Sequence, residues 1–370
     1  MSKKIRLAVV GCGRLGGFHA QKLAAREDVE LKAVVDPVAA NRQRVAAECH
    51  TEALTDFAGL FGTIDAAVIA APTSLHHRVA REFLDAGIHL LVEKPLCTTH
   101  AEADELTAIA RRRGAILQVG HVERFNPAFQ VAATQLHSPK YIEASRANGF
   151  TFRSTDVGVV LDLMIHDIDL VLSLVKSPVR KVEALGISVL GGHEDMANAR
   201  LEFESGCVAS LSASRVSYEP VRRMRAWSAQ TFADIDFATR TATLIRPSKT
   251  LLQRRFNVDA LTPEEVEYQR KHFADEQLPQ EKITLDAVDA LALEIDDFIR
   301  AIRTSSEPCV NGEAGRNALD VAEQILARIH DHCWDASIDG PVGPMALPRR
   351  HVIPTPHFEL ASPVLREKAG

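Results

Sequence analysis

The chain has 370 residues, 46% of them hydrophobic and 25% charged, with a formal net charge of −6. That length exceeds one ordinary core and predicts two domains. The composition is that of a globular protein, with no basic excess for nucleic acid and no apolar stretch of roughly 18 residues for a membrane.

Taken in order, Ile5 to Val10 reads as an apolar strand running into Gly11-Cys12-Gly13-Arg14-Leu15-Gly16, and a helical pattern, Leu15–Arg26, follows. In a strand–loop–helix of this spacing the first glycine permits the tight turn and the second lets backbone approach a pyrophosphate. The third lets helix pack on strand, while the helix N-terminal N–H groups face the anion. A second apolar strand, Glu30 to Val35, ends at Asp36, about 20 residues on, where a carboxylate accepts ribose hydroxyls. Asp36 should repel a 2′-phosphate, so NAD is expected over NADP, although Arg42 and Arg44 lie nearby and leave some NADP use open.

Apolar runs at Ala66–Ala71, Leu90–Val92 and Ile116–Val119 continue the strands, with helical spacing at Val38–Cys49, Leu75–Ala86 and Thr99–Arg113. This alternation predicts a doubly wound parallel sheet over residues 1–121. Ligands in such sheets bind beyond the strand carboxyl ends, which here carry Gly11, Asp36, Ala71-Pro72-Thr73, Glu93-Lys94-Pro95 and Gly120-His121.

The pattern changes over residues 122–335. After a short helix, Pro127 to Gln135, and a strand, Lys140–Arg146, comes a long apolar helix, Val157 to Val175. Alternating segments follow at Val179–Val189, Ala197–Phe203, Cys207–Val216, Arg223–Trp227, Thr231–Phe237 and Thr241–Ile245. They predict a large open, mostly antiparallel sheet with a helix on one face, making the chain α/β overall. Two late helices, Ala287–Thr304 and Glu313–Trp334, should pack back onto one of the domains. Residues 336–370 are proline-rich and aperiodic, and read as an arm.

Six scattered cysteines without a CxxC pair predict buried thiols in a reducing compartment and no metal site. The apolar run before Cys12 is short and interrupted by Arg6, which argues against a signal peptide and for the cytoplasm.

Lys94, at a strand end, points toward the space of a bound nicotinamide, and the X-Pro bond after it is a candidate for cis. Asp162 and His166 lie four apart in LDLMIHDID and share a helix face otherwise apolar, with Asp169 on the same side. Polar groups there are costly unless paired or facing a cleft. A capping Asp162 and a satisfied core His166 are the plainer alternatives.

Together, Gly11, Gly13 and Gly16, Ala71-Pro72-Thr73 with His76, Glu93-Lys94-Pro95, the Asp162/His166 pair, Glu294, Phe298 and Val310-Asn311-Gly312-Glu313-Ala314-Gly315 resemble the glucose–fructose oxidoreductase / inositol dehydrogenase / MocA family over residues 4 to 335. Thr73 stands where the family often has Asn. The resemblance implies hydride transfer at a sugar carbon, with the cofactor held by the Gly-rich loop, Asp36, Pro72, Thr73, His76, Glu93 and Lys94. It implies a homodimer or homotetramer formed through the second sheet. Lys94 and His166 would handle the hydroxyl proton and Asp162 would orient substrate or tune His166. Histidine is the natural base near neutral pH, with Lys94 stabilising alkoxide charge, and the reverse assignment of the two stays open.

Gly120-His121-Val122-Glu123-Arg124-Phe125-Asn126-Pro127 resembles the corresponding segment of members that oxidise the 3-hydroxyl of UDP-N-acetylglucosamine or its uronic acid. A nucleotide-sugar diphosphate calls for cations. Arg124, Arg146, Arg153, Arg215, Arg222 and Arg223 are available; Arg124 is the first candidate, with His121 and with Asn126 for a sugar hydroxyl or acetamido group. The implied product would serve a 3-amino sugar of lipid A or surface polysaccharide. Three other readings stay open: a free sugar or cyclitol dehydrogenase, an NAD-dependent glycosidase and a non-catalytic NAD-binding protein.

Overall fold

The computed structural model describes residues 3–152, 157–334 and 342–345. Six parallel strands make the first sheet: β1 (Ile5–Val10), β2 (Val29–Val35), β3 (Glu52–Leu54), β4 (Ala66–Ile69), β5 (His89–Glu93) and β6 (Leu117–Gly120). Helices α1 (Arg14–Ala24), α2 (Ala39–Cys49), α3 (Thr73–Asp85) and α4 (His100–Arg113) fill the crossovers and cover both faces. That double cover explains why strands such as β4 are apolar at every position and fully buried. The order is β3-β2-β1-β4-β5-β6, so the winding reverses between β1 and β4 and opens a crevice at their carboxyl ends. Strand β3 was not anticipated, because three largely exposed edge residues leave no apolar run.

The chain then forms α5 (Pro127–Ala133), β7 (Tyr141–Ala147), a π-helical turn (Val160–Met164) and α6 (Ile165–Val175). The single helix expected from Val157 therefore begins with a widened turn. Strands β8 (Val179–Ile187), β9 (Met196–Phe203), β10 (Val208–Ser214), β11 (Val221–Trp227), β12 (Phe232–Asp236) and β13 (Thr241–Ile245) follow. Next come α7 (Lys249–Leu252), α8 (Pro263–Gln277), β14 (Gln280–Thr284), α9 (Ala290–Thr304) and α10 (Gly312–Asp331). The second sheet runs β14-β13-β12-β11-β7-β10-β9-β8. Its neighbours are antiparallel except β7 and β10, which pair in parallel. One face buries Ile142, Ala144, Leu211, Met224 and Ala226 under α6 and α10, while alternate residues such as Ser145 and Arg225 remain on an open face. Elements α7, α8 and β14 escaped the periodicity analysis because neither helix buries a residue and β14 buries none.

Both late helices return as expected. Helix α9 inserts Ile295, Phe298 and Ile299 among Ile5, Leu7 and Val9 of β1. Helix α10 straddles the molecule, with Val321, Ala322 and Ile325 in the second core and Leu319 in the first. Most of the expected arm lies outside the described residues; of residues 342–345, Val342 bridges to Cys333 and Pro344 accepts from Ser188 N at 2.9 Å.

Phe298 is fully buried. Phe298→Ala should cost about 3–5 kcal/mol of stability, the usual range for deleting a core aromatic. Urea unfolding measures it; a loss below ~1 kcal/mol would mean that α9 is not part of the first core.

Candidate active site

Gly11 turns the chain out of β1 at φ +97°, and a Cβ there would lie 2.5 Å from the Ala70 carbonyl oxygen. A Cβ on Gly16 would lie 1.8 Å from Gly11 O, so α1 can sit against the loop only without one. Gly13 has open space where its Cβ would be and makes no side-chain cap on α1. The first N–H groups of α1 are thus left for an outside acceptor. Gly13, Arg14 and Leu15 are exposed along this edge. Asp36 is buried, accepting from Cys12 N and Val38 N, each at 2.8 Å. Each carboxylate oxygen keeps a lone pair for a ribose hydroxyl. Arg42 donates to the carbonyls of Asp36 and Pro37, and Arg44 to that of Cys12. The loop, helix start and acid fit a dinucleotide, which supplies a hydride acceptor when bound.

Farther along the crevice, Pro72, Thr73, Lys94, Leu161 and Asp162 line a cleft of about 540 Å³. The Lys94–Pro95 bond is cis. Lys94 Nζ donates to the Asp162 carbonyl oxygen at 2.7 Å and lies 3.3 Å from its carboxylate. The π-helical turn presents Asp162 for this contact, and its entry is fixed by Glu194. Glu194 accepts from Val159 N through its carbonyl and from Val160 N through its carboxylate. A Cβ on Gly158 would sit 2.0 Å from the Glu194 carboxylate, so Gly158 and Glu194 are site-building residues that the sequence analysis missed. No motif marks them.

His166 follows that turn and is partly exposed; its Nδ1 has no partner among the described residues. Burial, then the positive charges of Lys94, Arg146, His121 and Arg222, hold its imidazole well below the usual histidine range. It is therefore neutral at neutral pH and able to accept a proton. The His121 ring stands edge-on to it, 6.3 Å between centroids. His121 itself is 1% exposed with neither ring nitrogen partnered, so it backs His166 and does not open to the cleft.

Four other expected contacts are corrected by the structure. Arg124 is clamped bidentately by Asp169 at 2.6 and 2.9 Å and borders a different hollow beside Cys309 and Lys176. Asp169 thus serves Arg124, not the His166 stripe. Asn126 caps α5 by accepting from Ala128 N and donates to Phe237 O, which commits both ends of its amide. His76 lies between the carbonyls of Pro95 and Ala71, at 2.9 and 2.8 Å, which commits both ring nitrogens to bracing two loops. Glu93 is buried against His19, 2.7 Å away, and also accepts from Lys94 N. Of the remaining arginines, Arg146 is buried with Asp167 and Glu123, Arg215 pairs with Asp195 and Arg223 with Asp234. Arg153 lies outside the described residues.

Below Lys94, Glu294 of α9 joins His19 and Glu93, their ligand atoms all within 4.8 Å of one another. The donor set is one a cation could use, but burial foremost, then the Glu93 charge, pushes the Glu294 carboxyl well above the usual range.

These features define a Rossmann-type dinucleotide-binding oxidoreductase. Residues 5–121 match the oxidoreductase family with an NAD-binding Rossmann fold, and residues 128–228 match the GFO/IDH/MocA C-terminal domain. The chain belongs to the Gfo/Idh/MocA family of NAD-binding oxidoreductases. It is 36% identical to UDP-N-acetylglucosamine 3-dehydrogenase of Acidithiobacillus ferrooxidans over 329 residues, covering 88% of this chain and 97% of that protein. A crystal structure of that enzyme superposes with a TM-score of 0.77 over 88% of this chain and 98% of the other. The scyllo-inositol 2-dehydrogenase (NAD(+)) of Bacillus subtilis is 30% identical over 236 residues, 59% of this chain and 69% of that protein. Among the described residues, no helix is long and apolar enough to cross a membrane.

A carboxyl with a raised folded pKa contributes its full stability below the ordinary glutamate range and loses it as pH climbs toward the raised value. Glu294→Gln cannot ionise. It should raise Tm relative to the parent at about pH 8 and give no such gain near pH 4.5. An equal shift at both would show that Glu294 does not titrate with unfolding.

Proposed function

We propose that the chain oxidises the 3-hydroxyl of UDP-N-acetylglucosamine, or of a close UDP-sugar, with NAD taking the hydride. The observation that carries this reading is the 36% identity, across nearly the whole of both chains, to a UDP-N-acetylglucosamine 3-dehydrogenase. The site geometry supports it, since Lys94 and Asp162 line one cleft at the end of the dinucleotide crevice and the Lys94 charge acts on the His166 imidazole one turn beyond Asp162.

His166 accepts the hydroxyl proton; its lowered pKa keeps it in the accepting form. Lys94 brings positive charge toward the alkoxide that develops as hydride leaves. Asp162 holds Lys94 through its carbonyl and offers its carboxylate to a substrate hydroxyl. The 3-keto product suits transamination to a 3-amino sugar for lipid A or surface polysaccharide. The same reading makes the protein a cytoplasmic homodimer or homotetramer joined through the open sheet face. Glu143, Ser145, Ser210, Ser212, Arg223 and Arg225 line a shallow depression there.

Purified protein with NAD and UDP-N-acetylglucosamine should form NADH, matched by a two-hydrogen mass loss from the sugar. No NADH, even with an aminotransferase present to consume the ketone, would sink this substrate.

Lys94→Ala and His166→Ala should each retain NAD binding and lower kcat by about 10²–10⁴-fold. Near-parental turnover in both would remove them from the chemistry. Because the base must be deprotonated and its pKa is lowered, the acid limb of kcat/KM should fall below the ordinary histidine value of about 6.5. A limb above it would assign the proton to another group.

A further inference from the structure

The fold leaves the diphosphate of such a substrate without its expected partner, because Arg124 is held by Asp169. Arg222 is placed differently. It sits on β11 on the side of Met224 and Ala226, the helix-covered face, yet it is exposed where those two are buried. It lies at the margin of the cover, next to Phe237, whose N–H its own carbonyl accepts. Its cross-strand neighbour on β7 is Arg146. Two cations directly opposite each other are unfavourable unless compensated. Arg146 is compensated by Asp167 and Glu123. Arg223 and Arg225, the next arginines of the strand, have Asp234. No hydrogen bond or ion pair joins the Arg222 side chain to any described residue, so an exposed guanidinium stands uncompensated at the edge of the layer that carries His166.

We propose that Arg222 is the substrate-specificity residue that receives the anionic diphosphate of a nucleotide sugar; this rests on the function proposed above. With the 3-hydroxyl at His166, the phosphate hangs from a ring carbon only two positions away, so its partner must lie near His166. The charge of Arg222 acts on both His166 and Asp167, so it lies within electrostatic reach of the reacting end. A planar guanidinium with free donors suits paired phosphate oxygens.

The test is titration of UDP, and kinetics with UDP-N-acetylglucosamine, on the NAD-loaded parent, Arg222→Ala and Arg222→Lys. Loss of a charge-assisted contact should weaken UDP and raise KM about 10–100-fold in the alanine variant, a larger change than in kcat. Lysine should recover part of the loss, and NAD affinity should stay within about twofold in both. Unchanged UDP affinity and KM in Arg222→Ala, with an active parent, would overturn the role of Arg222 and leave the function standing. A parent that neither binds UDP nor oxidises the nucleotide sugar would overturn the function and this assignment with it.

Discussion

The 2.7 Å contact from Lys94 Nζ to the carbonyl oxygen of Asp162 joins a parallel strand end to a helical turn 68 residues later. It fixes where the two sheets meet. On one side, Lys94 is placed by β5, buried on both faces, and by the loop after it, which His76 ties to the carbonyls of Ala71 and Pro95. On the other, Asp162 is placed by the widened turn that Glu194 caps from the β8–β9 connection. Helices α9 and α10 then close the arrangement, since each is apolar toward the first core and α10 toward both. The cleft is a consequence of these packings and needs no separate scaffold.

Burying acids beside the site is expensive unless each has a partner, and breaking such a pair leaves an uncompensated charge worth several kcal/mol. Asp167 and Asp169 follow His166 on α6 at spacings that send them to different cations, Arg146 and Arg124. Glu123 takes the remaining donor of Arg146. The pairs pin α6 to β7 and to the segment after β6, and so fix the stretch of helix that carries His166. This framework consumes the acids nearest the histidine, and the field that remains at His166 is dominated by cations.

Periodicity and glycine spacing made the parallel sheet and the dinucleotide cradle legible, because both faces of those strands are covered and the loop geometry requires Gly11 and Gly16. The second sheet was legible wherever one face is buried, and was not at α7, α8 and β14, where nothing is. Site residues divide in the same way. Lys94 and Asp162 could be found as polar groups at a strand end and on an apolar helix. The roles of Arg124, Asn126, His76 and Glu93 could not, since a sequence shows that a polar side chain is present but not which backbone group or counter-charge already holds it. The π-helical turn was illegible for a related reason: VLDLM keeps helical spacing in either winding.

The cations around His166 give the free site a particular balance. Burial foremost, and then these cations, keep the imidazole neutral and so able to take a proton, but the cations also oppose the imidazolium that results. Left alone, such a base would be ready and weak. They favour the developing alkoxide for the same electrostatic reason. An anionic group seated beside Arg222, as proposed above, would change this balance, because its negative charge would cancel part of the field at His166 and strengthen the base. A neutral sugar would fill the cleft without that cancellation. Discrimination for a charged substrate can then arise in the proton-transfer step as well as in binding, from one arrangement of charges.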